Sequence, residues 1–116
     1  MKEYLDELDA LLSDESKWIQ GVFARDAAGD SCVLRKEDAA CWCLIGAAYR
    51  VTPDSGAHVK LLCLLRDFLP QRYARSDEGP FLAIARWNDA ETRTFADVKA
   101  LIAKARAAAE AGASDG

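Results

Sequence analysis

The chain lacks most of the features that assign a function at sight. It has a single histidine in 116 residues, His58. No Ser-His-Asp or Cys-His arrangement surrounds it, so nucleophilic catalysis has no evident base, and His58 is expected as a partly exposed structural side chain. There is no glycine-rich loop to cradle a phosphate, since Gly21, Gly29 and Gly46 stand in unrelated contexts. The longest apolar run, Ala39 to Tyr49, falls well short of the roughly 20 residues of a spanning helix, which argues against a membrane partner. The start, Met1-Lys2-Glu3-Tyr4-Leu5-Asp6, is acidic where an export signal is basic and then apolar, so a cytoplasmic location is expected. A basic excess is also missing. With 15 Lys and Arg against 19 Asp and Glu, the formal charge is −4, which argues against direct nucleic-acid binding.

Four cysteines are present, Cys32, Cys41, Cys43 and Cys63. Cys41 and Cys43 are one residue apart, so on a helix their side chains diverge by about 200° and do not share a tetrahedral ion. His58 and Cys63 miss the i, i+4 spacing. No metal, no cofactor and no catalytic residue is assigned, and the thiols are read as reduced and buried.

What is present is material for a core. Hydrophobic residues make up 51% of the chain, enough for one domain over residues 1–111, with 112–116 expected as a frayed tail. The fold class is mainly α, a compact bundle of about four to five helices with a short β-hairpin near residues 22–34, for which a packed loop is the alternative. Leu5, Leu8 and Leu12 predict a first helix over about 2–13, and Ser13 is the expected cap of a short helical turn ending at Gly21. A central helix is expected over about 37–51, capped by Asp38, stopped by Pro53, and apolar on nearly every side. Gly46 and Ala47 in it would let a neighbouring helix approach closely.

Val59, Leu62, Leu65 and Leu69 mark one face of a third helix that starts after Asp54-Ser55 and stops before Pro70. Residues 70–79 read as loop. Residues 80–87 suit either a short helix with proline in its first turn or a buried strand. Thr94-Phe95-Ala96-Asp97 resembles a capping box that opens a last helix running to about 110.

The polar cluster from Arg86 to Thr94 is the most unusual. Asn88 and Asp89 suit a turn that bonds nearby amides, and Trp87 is expected to be buried. Trp42 reads as core, while Trp18 has polar neighbours. Trp18-Ile19-Gln20-Gly21 with Ala24-Arg25-Asp26, then Trp42-Cys43-Leu44 with Gly46-Ala47, then Trp87-Asn88-Asp89 with Arg93-Thr94, resemble a small bacterial and phage domain family of unknown function. The resemblance spans about residues 4–105. It implies a compact, largely helical domain, and it implies no activity.

Two classes of function fit. The first is a non-catalytic protein-binding module of bacterial or phage origin. It includes an inhibitor of a host defence system such as a CRISPR complex, with the acidic first helix imitating phosphate. The second is a small enzyme or binder of an anionic or nucleotide-like ligand. In it Arg25 and Asp26 converge with Asn88, Asp89 and Arg93. The candidate binding residues are Trp18, Gln20, Arg25, Asp26, Trp87, Asn88, Asp89 and Arg93. A homodimer is a further expectation, from the apolar excess of the second and third helices.

Overall fold

The computed structural model describes residues 1–32, 38–74, 77 and 79–115. The protein is mainly helical with one small sheet, as expected. The elements are α1 (Lys2–Leu11), a 3₁₀ turn (Glu15–Lys17), β1 (Ala24–Asp26), β2 (Ala39–Trp42), α2 (Leu44–Val51), α3 (Ser55–Arg66), α4 (Gln71–Ala74), α5 (Pro80–Asp89) and α6 (Phe95–Asp115).

α1 buries Leu5 and Leu8 completely, and Leu12 at its C-cap is buried with them, the stripe that their spacing dictates. The turn that follows is capped by Asp14, which accepts from the Ser16 N–H at 2.9 Å, and not by Ser13. It lasts only three residues, because the chain then extends and the Ile19 N–H bonds the Trp42 carbonyl at 3.1 Å.

The hairpin is present in altered form. The Asp26 carboxylate holds the turn by accepting from the Ala28 and Asp30 amides, both at 3.0 Å, and Gly29 takes the positive φ of 89° that the turn needs. The strand that pairs with β1 is β2, antiparallel, with Ala24 opposite Trp42 and Arg25 opposite Cys41. Residues 33 and 34 of the expected second arm lie outside the described residues.

β2 occupies residues expected to open the central helix. An unbroken apolar run carries no period to separate strand from helix. The helix start is set instead by Cys43, whose Sγ accepts from the Gly46 N–H at 3.4 Å, and not by Asp38. Gly46 does permit a close approach, but of β-side backbone and not of a helix. A Cβ there would lie 2.0 Å from the Phe23 carbonyl oxygen.

α2 is the central helix, with Leu44, Ile45, Ala47 and Ala48 buried, and it packs against α1, α3 and α5. α3 is capped by Asp54, whose carboxylate accepts from Ala57 N–H at 2.8 Å. Its buried face is Leu61, Leu62 and Leu65, so Val59, half exposed, lies off the face to which its spacing assigned it. His58 is buried, not partly exposed, with Nε2 3.4 Å from the Ile45 carbonyl and its ring edge-on to Tyr49.

Within the expected loop 70–79, α4 forms one short turn that starts at Pro70. α5 takes the helical alternative, with Pro80 in its first turn and Gly79 at φ 92° before it. α6 opens with the expected capping box: Asp97 N–H donates to Thr94 Oγ1 at 3.2 Å and Thr94 N–H to Asp97 Oδ2 at 3.1 Å. It runs on to Asp115, past the expected end near 110. Trp42 is core, and its indole N–H has no acceptor among the described residues. No helix is long and apolar enough to cross a membrane among the described residues.

Candidate functional site

The first and third sequence motifs meet at Asn88, whose side chain is 1% exposed. Its Oδ1 accepts from the Trp18 indole N–H at 2.8 Å and from the Leu44 amide at 3.0 Å. Its Nδ2 donates to the Ile19 carbonyl at 3.2 Å and to Asp89 Oδ1 at 3.0 Å. Every bonding position of the amide is therefore filled. Gln20 Nε2 donates to the Asn88 and Ala90 carbonyls, at 2.8 and 2.9 Å, and the Gly21 N–H donates to Asp89 Oδ1 at 3.0 Å.

These bonds satisfy helix ends. Leu44 N–H is one of the free donors at the start of α2, and the Asn88 and Ala90 carbonyls are acceptors at the end of α5. Asn88 and Asp89 thus close α5 and do not form a turn. Instead of bonding amides next to them in sequence, they reach Leu44 and Gly21 on other segments.

The remaining candidates lie elsewhere. Trp87 is buried, as expected, and the Arg93 guanidinium lies 4.2 Å from the centre of its ring. Arg93 Nε donates to the Trp87 carbonyl at 2.7 Å, and its other nitrogens lie 3.4 Å from the Tyr73 hydroxyl and 3.6 Å from Asp97. It fastens the α5–α6 connection. Arg25 donates to the Gly29 carbonyl at 2.8 Å and, with Asp26, belongs to the hairpin turn. Among the described residues neither arginine pairs with Asp26 or Asp89. The structure therefore brings Trp18, Gln20, Asn88 and Asp89 together, and leaves Arg25–Asp26 and Trp87–Arg93 in separate places.

Beside the knot is an open cleft of about 190 Å³ between the Gly21–Phe23 segment and α5. Cys43 and Ile45 line it from the α2 side, Phe81 and Ala85 from α5, and Asn88 and Asp89 close one end. Phe23 and Phe81 stand edge to face, 5.7 Å between ring centres, at 42% and 41% exposure, and Leu82, next to Phe81 in sequence, is 43% exposed.

Burial pushes the Cys43 thiol up. The Asp89 charge adds to that, and hydrogen bonds from the Gly46 and Ile45 amides oppose it without overcoming it. The thiol is therefore protonated at neutral pH and is a poor nucleophile.

Sequence reasoning missed Phe23, Phe81, Leu82 and Ala85. One signal was available. α5 buries Ala83, Ile84, Trp87 and Asn88, and a helix that uses those positions has no room on the same face for Phe81 and Leu82.

The acidic first helix is less free than its sequence implies. Arg106 contacts Asp6 at 2.9 Å and Asp9 at 3.1 Å, and Lys99 contacts Asp9 at 2.6 Å and the Leu12 carbonyl at 3.0 Å. Lys99 and Arg106 on α6 therefore lie in the α1–α6 seam.

The model of a family of unknown function, DUF6197, matches residues 1–108, and the chain belongs to that family. No curated protein and no solved structure matches the chain.

Proposed function

We propose that this member of the family is a non-catalytic protein-binding module whose contact surface is the cleft and its apolar rim. The observation that carries the reading is the size and shape of the cleft. At about 190 Å³ it is below the roughly 300–1,000 Å³ typical of small-molecule sites, and it suits one large side chain. Exposed aromatic rings around a pocket of that size are the usual form of an anchor site on a protein surface.

The chemistry of the lining supports the same reading. Its thiol is protonated, and its one carboxylate already accepts two hydrogen bonds. An anionic or nucleotide-like ligand finds little here, because Arg25 and Arg93 are bonded elsewhere and Asp89 faces the space. Phosphate mimicry by α1 also loses support, since Asp6 and Asp9 are paired with Arg106 and Lys99. An inhibitor of a defence complex would work through the cleft face.

The test is selection of a displayed random peptide library on the full chain. Ala85→Trp, which fills the cleft from α5, is expected to abolish capture of the enriched peptides. Glu7→Lys on α1 should leave it unchanged. Peptides that bind the wild type and Ala85→Trp equally would place the contact surface elsewhere. A dimer in sedimentation that Ala85→Trp dissociates would make a second copy the occupant.

A further inference from the structure

We infer that the side chain received by the cleft is a lysine or arginine of the partner protein, with Asp89 as its counter-charge. The inference rests on the binding-module reading and specifies its partner.

Three observations select a cation. The first is the state of Asp89. Its Oδ1 accepts from the Gly21 amide and from Asn88 Nδ2, both at 3.0 Å, which fixes the carboxylate at the end of the cleft. Its second oxygen has no partner among the described residues. A carboxylate accepts about four hydrogen bonds, so acceptor capacity remains.

The second observation is the setting. Phe23, Ile45, Phe81 and Ala85 make the described walls apolar, and no lysine or arginine is among the described residues that line them. Asp89 is exposed at the cleft, so a cation reaches it from solvent and an anion is repelled. A neutral apolar anchor would give the open oxygen of Asp89 no partner.

The third is the aromatic corner. Phe23 and Phe81, inclined at 70° and each about two-fifths exposed, offer ring surface to an alkyl stem. A long basic side chain suits this geometry, since its methylene stem lies along apolar walls while its head reaches the carboxylate. The formal charge of −4 steers a basic segment toward the protein from a distance.

The experiment uses cleft-dependent peptides, those captured by the full chain but not by Ala85→Trp. Phe81→Ser serves as a second cleft variant, and circular dichroism confirms that each variant is folded. The expected result is enrichment of lysine or arginine at one anchor position. Replacing that anchor by norleucine should weaken binding about tenfold or more. Asp89→Asn retains an oxygen for the Gly21 amide and should produce the same loss, with no further loss when the two changes are combined.

Cleft-dependent peptides anchored by leucine or phenylalanine, with affinity unchanged in Asp89→Asn, would overturn the cation assignment and leave the binding module standing. If no peptide distinguishes the wild type from both cleft variants, the cleft is not the contact surface, and the reading of the cleft falls together with this inference. n-Butylammonium or n-butylguanidinium binding as tightly as the peptides would identify the occupant as a free small organic cation and overturn the assignment to a partner protein.

Discussion

Two polar clusters join distant parts of this chain, and they do so by different physics. In the α1–α6 seam, Asp6 and Asp9 meet Arg106 and Lys99, with side chains 29–37% exposed. In the knot, the Trp18 indole, the Ile19 carbonyl, the Leu44 amide and the Asp89 carboxylate converge on Asn88 at 1% exposure. Water competes for every charge in the seam, so the net gain of each pair is small and salt reduces it. At the knot the Asn88 side chain and the Leu44 amide are buried, so removing the Asn88 amide leaves at least that donor without water or partner. The charges are the more conspicuous in the sequence, but the buried amide fixes the geometry.

The sharpest way to test that contrast is Asn88→Ala. It strands the Leu44 amide, the Trp18 indole N–H and the Ile19 carbonyl, and should cost about 3–5 kcal/mol in urea denaturation. A cost under about 1 kcal/mol would mean that the knot is no tighter than a surface contact. Trp87→Ala should cost a similar amount, about 3–5 kcal/mol, but for a different reason: it leaves a cavity under Arg93. Its loss should persist in high salt.

Thr94→Ala, which removes one arm of the α6 capping box, should cost about 1 kcal/mol by thermal unfolding. Arg106→Met should have the smallest effect. Its melting temperature should fall less than that of Thr94→Ala, and the difference from wild type should vanish near about 1 M NaCl. A drop as large as that of Asn88→Ala would break the comparison.

Acid distinguishes the two regions again. At Asp6, partial desolvation works to raise the carboxyl, but hydrogen bonds and charge from Arg106 and Lys2 outweigh it and hold the group below its ordinary value. At Asp97 the Thr94 amide is the main cause of a lowering in the same direction. A depressed carboxyl contributes stability above its unfolded value, near 4, and loses it as pH falls through the lower folded value. Stability should therefore decline on acidification below about pH 4. Arg106→Met should remove part of that slope, and Asn88→Ala should leave it in place. An unchanged slope in Arg106→Met, measured by thermal unfolding across pH, would show that Asp6 is not held by Arg106.

Several elements were legible because one local signal sufficed. Leu5, Leu8 and Leu12 gave α1, and Thr94 with Asp97 opened α6, whereas Pro80 left helix and strand both open for α5. Residues 39–42 were not legible, because an all-apolar run reads alike as buried helix or strand. The candidate site was half legible. Trp18, Gln20, Asn88 and Asp89 stood out as unusual polar and aromatic residues beside helices, and they do meet. Arg25 and Arg93 stood out as much, yet each is used within its own neighbourhood. Phe23, Phe81 and Leu82 did not stand out, since apolar residues in a half-apolar chain are assumed to be core.

The sequence by itself determined that this chain is mainly helical, where α1, α3 and α6 begin, and that it resembles a family of unknown function. Those properties depend on periodicity and capping, which act over a few residues. Only the tertiary structure decided that the strand after Phe23 pairs with residues 39–42, that Asn88 closes α5 onto the start of α2, and that two phenylalanines and Asp89 border one cleft. Gln20 and Asn88 are 68 positions apart. Their meeting depends on how helices pack and on which buried polar groups still need partners, and neither is written in any short stretch of residues.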